Sequence, residues 1–91
     1  MDEIQTLDPG TRIRLIGDMH AAVEDNPRDG AWLLARMLPQ PVLPMAESLR
    51  IASARSAHGI VSIPDPQRGM LLYVHADDIL DRLPPEGHLS R

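Results

Sequence analysis

The stretch Gly59 to Leu83, GIVSIPDPQRGMLLYVHADDILDRL, constrains the fold more than any other part of the chain. Two apolar runs, Gly59–Ile63 and Met70–His75, flank the turn-rich segment Pro64-Asp65-Pro66-Gln67-Arg68-Gly69, which predicts a β-hairpin. The prolines fix φ in the loop, and Gly69 is free to take positive φ before the second strand. In that strand Met70, Leu72 and Val74 share one face, and Leu71, Tyr73 and His75 share the other. Both faces are largely apolar, so the strand is expected to be central and covered on both sides. Beyond it, Asp77 is placed to cap a short closing helix carrying Ile79, Leu80 and Leu83 inward, which Pro84-Pro85 would end.

Upstream, Asp8-Pro9-Gly10 reads as a turn and Thr11–Ile16 as a strand. Ile13 and Leu15 would then face the core, with Arg12 and Arg14 together on the other face. That arginine pair is a candidate anion or nucleic-acid contact, although a solvated sheet face beside acidic neighbours is the commoner explanation. Asp18–Asp25 is expected to be a short helix, with Met19, Ala22 and Val23 on one side. His20 and Glu24 would be neighbours on such a helix, but two ligands do not make a metal site. Asp25–Gly30 reads as a loop.

Ala31–Leu38 consists mostly of good helix formers and stops at Pro39. Only Arg36 in it is charged. A helix apolar all round must be buried all round, and a chain of 91 residues has little interior to hide one. Trp32, Leu33, Arg36 and Met37 are therefore the candidate partner-binding residues, because Trp and Met are enriched in interface cores; the alternative is a fully internal helix. Pro39–Pro44 has three prolines in six residues and reads as an extended connector. Met45–Ala57 reads as a helix, with Glu47 in its first turn and Arg55 and His58 near its end; a strand over Leu49–Ser53 is the competing reading.

These elements predict an α+β fold, in which a short antiparallel sheet, made of the N-terminal strand and the C-terminal hairpin, is packed by two or three helices. The alternative is a small SH3-like β-barrel with a helical insertion, suggested by the strand after Asp-Pro-Gly, the late hairpin and the Val-His-Ala-Asp-Asp-Ile turn. Neither supplies a function by analogy. A single domain is expected over 1–91, with 1–8 and 86–91 flexible.

Composition narrows the chemistry. With no Cys there is no disulfide, thiolate zinc site, iron–sulfur cluster or cysteine nucleophile. A net charge of −4 argues against sequence-independent phosphate binding. All nine basic residues are arginine, which suits bidentate anion recognition but is also what a GC-rich coding bias yields. No apolar run approaches a membrane span, and the acidic start is unlike a signal peptide, so the cytoplasm is the expected location. No phosphate loop, dinucleotide fingerprint, EF-hand loop or Gly-x-Ser-x-Gly elbow occurs. No catalytic residue, cofactor or metal site is assigned. The histidines at 58 and 75 flank the hairpin and with Asp77 and Asp78 are candidates for a His-carboxylate constellation near one sheet edge, although a helix end and a cap account for His58 and Asp77. The expected function is a small non-enzymatic interaction protein, a regulator, adaptor or inhibitor that binds a larger protein or itself. A nucleic-acid-associated regulator using the arginines is the alternative, and a small His/carboxylate enzyme the third reading.

Overall fold

The computed structural model describes residues 7–25 and 31–84; most of the predicted Asp25–Gly30 loop, most of the lead-in and the tail lie outside them, and Asp25 itself ends a strand. The strands are β1 (Arg12–Leu15), β2 (Met19–Asp25), β3 (Trp32–Met37), β4 (Val61–Asp65), β5 (Gly69–His75) and β6 (Ile79–Arg82). One helix, α1 (Met45–Arg55), interrupts them between β3 and β4. All six strands join one antiparallel sheet in the order β4-β5-β3-β2-β1-β6, so β4 and β6 are its edges.

This overturns the expected α+β arrangement of two or three helices on a small sheet. Two of the predicted helices are strands. In β3, burial alternates: Leu33, Ala35 and Met37 point into the core, while Trp32, Leu34 and Arg36 point out. Helix propensity is a weak prior, and here pairing with β2 on one side and β5 on the other decides the conformation. The all-round apolar character of Ala31–Leu38 therefore reflects an apolar residue, Leu34, on the outward face of a strand. Met19–Asp25 is likewise a strand, with Met19, Ala21 and Val23 inward.

The closing helix is replaced by a 3₁₀ turn, Ala76–Asp78, followed by β6. Its N-cap is His75 rather than Asp77, with the Asp77 N–H donating to His75 Nδ1 at 3.0 Å. The Thr11–Ile16 strand, the Met45–Ala57 helix and the hairpin appear with slightly shorter or shifted bounds. The hairpin turn is tighter than the six residues expected. Asp65 Oδ1 accepts from the N–H groups of Gln67 and Arg68 at 2.8 and 2.9 Å, and Gly69 takes φ +82° as β5 begins.

The core lies on one face of the sheet. Ile13, Leu15, Met19, Val23, Leu33, Leu72 and Val74 are fully buried there, and α1 closes it through Ala52, with Leu49 packed alongside. Gly17, at φ +78°, sits in the 3₁₀ turn between β1 and β2 and meets the backbone of Ala52; a Cβ there would lie 3.1 Å from the Ala52 Cα. That close approach seats the helix on the turn.

Candidate functional site

Residues paired across an antiparallel ladder share a face. The outward face of β4-β5-β3 can therefore be read from the register as rows: Val61, Tyr73 and Leu34; then Ile63, Leu71 and Arg36; then His75 beside Trp32. On this face Leu71 is buried at 5% exposure. Val61, Ile63 and Tyr73 remain 57%, 44% and 40% exposed, whereas the opposite face of β5 is fully buried at Leu72 and Val74. The expectation that β5 is covered on both sides is thus corrected in part: on the outward face Leu71 is buried, but Tyr73 and its β4 neighbours are open.

The patch has a rim containing both signs of charge. Arg36 Nε donates to Glu24 at 3.0 Å, and Arg68 bridges Glu24 at 3.4 Å and Asp65 at 3.1 Å. The Asp65 carboxyl is held below its ordinary range, first by the backbone N–H groups of Gln67 and Arg68 and then by the Arg68 guanidinium.

At the other end of β5 a ring cluster assembles from three parts of the chain. Trp32 opens β3, His58 follows α1, and Tyr73 and His75 end β5. Trp32 lies parallel to Tyr73 at 6.1 Å between ring centroids and edge-on to His75 at 5.1 Å and His58 at 6.3 Å. The two imidazoles stack on one another at 3.6 Å with planes 6° apart. Asp77 completes the group: its Oδ2 lies 3.3 Å from His58 Nε2 and 3.7 Å from His75 Nδ1. The loop bearing His58 is anchored by Ser56, whose Oγ accepts from the N–H groups of His58 and Gly59 at 3.2 and 2.9 Å and donates to the buried Asp78 carboxylate.

The structure separates the four candidate partner-binding residues. Leu33 and Met37 are core, and only Trp32 and Arg36 reach the outward face. Of the candidate anion contacts, Arg14 is committed to two carboxylates, Asp81 at 2.8 Å and Asp18 at 2.6 Å, which hold its proton more tightly than usual. Arg12 shares that outward face through its pairing with Ala22. Arg36, Arg50 and Arg68 are also paired with acidic side chains. His20 and Glu24 both sit on β2 rather than on a helix, and Glu24 is engaged by Arg36 and Arg68. The residues missed were Val61, Ile63 and Tyr73; the signal was the second apolar face of the hairpin strand.

A separate cleft of about 460 Å³ lies between α1 and the proline-rich connector, bordered by Gly17, Asp18, His20, Gln40 and Arg55. The Gln40 amide is spent on the fold: its Oε1 accepts from the His20 N–H at 3.0 Å, and its Nε2 donates to the His20 carbonyl at 2.9 Å. This staple ties the connector to β2. No helix among the described residues is long and apolar enough to cross a membrane.

No family model, no curated protein and no solved structure matches this chain. Its chemistry is therefore read from the site alone.

Proposed function

We propose that this protein is a small non-catalytic interaction module, and that its contact surface is the outward face of β4-β5-β3, occupied by a second copy of the chain. The observation that carries this reading is the cluster of exposed Val61, Ile63 and Tyr73, with Trp32 stacked on Tyr73, on the outward face of a sheet whose other face is core. Clustered apolar and aromatic side chains inside a polar rim are the anatomy of a protein interface. The rim supports a two-fold arrangement, in which each patch meets itself. It offers Arg36 and Arg68 beside Glu24 and Asp65, so like surfaces have opposite charges to exchange.

Docking on the face is favoured over strand addition at the edge. Pro64 stands within β4, and a proline in an edge strand must turn its nitrogen away from the partner strand. The free edge thus lacks one donor, close to the hairpin turn. The test is the solution mass by light scattering over a concentration series, for the wild type and for Ile63→Asp. A dimer that dissociates in the variant, with the circular dichroism spectrum unchanged, is the expected result. A wild-type monomer throughout, or a dimer indifferent to Ile63→Asp, overturns the reading.

A further inference from the structure

Beyond the contact surface, we infer that His58, His75 and Asp77 form a binding site for a divalent transition-metal ion of the zinc class. The three residues present ligand atoms that all lie within 4.8 Å of one another. The measured separations from Asp77 Oδ2, 3.3 Å to His58 Nε2 and 3.7 Å to His75 Nδ1, are close to what such an ion needs. With bonds of about 2.0–2.1 Å, a tetrahedral site places its ligand atoms roughly 3.3 Å apart. Two imidazoles and a carboxylate form a donor set suited to zinc, and the exposure of Asp77 leaves a fourth position open to water.

The surroundings favour a built site over a chance meeting of surface side chains. Ser56 fixes the His58 backbone through two N–H groups, and Asp78 fixes Ser56 in turn. The 3₁₀ turn ties Asp77 to His75, whose Nδ1 accepts from the Asp77 N–H. Trp32 and Tyr73 wall one side with apolar surface. Two adjustments accompany binding. The imidazoles are parallel, so their lone pairs converge on one ion only after a ring turns, and His58, on a loop and partly exposed, is the ring able to do so. Coordination through His75 Nδ1 also replaces the hydrogen bond that this nitrogen accepts from the Asp77 N–H.

Trp32 is the only tryptophan and touches both rings, so its fluorescence reports on this site. The experiment is a zinc chloride titration of the untagged full chain, followed by calorimetry and Trp32 emission. It is repeated on His58→Ala, Asp77→Asn and, as a control, His20→Ala. We expect one ion per chain, a change in Trp32 emission that saturates with it, and affinity lowered by about tenfold or more in the first two variants. His20→Ala should bind as the wild type does. His58 and Asp77 are surface side chains, and a retained circular dichroism spectrum in their variants verifies that the fold is intact. Ile63→Asp should keep zinc binding whatever it does to self-association, which separates this inference from the interface reading. Absence of heat and of an emission change, or binding that survives both His58→Ala and Asp77→Asn, overturns it.

Discussion

The hydroxyl of Ser56, one residue past the end of α1, donates to the carboxylate of Asp78 in the turn before β6, joining segments 22 residues apart. Asp78 is buried, so the hydroxyl satisfies an acceptor that has little access to water. Ser56→Ala removes that donor together with the acceptor for the His58 and Gly59 N–H groups. We expect a loss of about 1–3 kcal/mol in urea unfolding, and a melting temperature equal to the wild type would show the link to be dispensable.

Gly17→Ala should be more costly than its single methyl group suggests. The position combines φ +78° with an approach of 3.1 Å to the Ala52 backbone, which cannot move without shifting α1. A penalty of about 2 kcal/mol or more is expected from the backbone conformation and the clash together. Gly59→Ala has a comparable φ of +87° but open space around it, so it should lose only the conformational part, about 1 kcal/mol. Equal costs at the two sites would rule out tight seating of α1 on the turn.

Leu33→Ala tests whether β3 is core or surface. Leu33 is 2% exposed and belongs to the main apolar cluster. Truncation should cost about 2–5 kcal/mol through lost burial and the cavity left behind. Val61→Ala, on the open face, should change monomer stability by less than about 1 kcal/mol. Chemical denaturation of both variants gives the comparison directly.

Acid should weaken the hairpin turn through Asp65. Its folded-state carboxyl titrates below the unfolded value, as do those of Asp81 beside Arg14 and Glu47 beside Arg50. Groups depressed in this way contribute stability above their unfolded values, near pH 4, and lose it as the pH falls through the lower folded values. The melting temperature should therefore hold from pH 8 to about 5 and then decline. Asp65→Asn should lie below the wild type at neutral pH, and the gap should close as the pH falls through the depressed folded-state value of Asp65. An offset between the two that stays constant with pH would exclude the carboxylate as the cause.

Legibility from sequence followed the distance over which each element is decided. Met45–Arg55 could be read because Pro44, Glu47 and Arg55 mark its ends locally. The hairpin was legible for the same reason, its turn being written in Asp65, Pro66 and Gly69. Trp32–Met37 was misread because its residues favour a helix, and only the non-local ladders to β2 and β5 reveal the alternation. The ring cluster was half legible. His58, His75 and Asp77 stand out at the flanks of the hairpin, but Trp32 joins them only through the pairing of β3 with β5.

The pairing of β1 with β6 also sets an order of events. Arg14 closes on Asp81, 67 residues later, and until β6 arrives the outer edge of β1 has no strand beside it. A ribosome adding about 5–20 residues per second takes on the order of several seconds to cover that separation. During that interval β1, β2 and β3 can meet, but the sheet remains open at one border. Long-range closure of this kind slows folding relative to helical chains of equal size. The nascent protein therefore passes through a period in which β1 presents an unpaired edge to its surroundings, and completion of the sheet awaits almost the last residue that belongs to it.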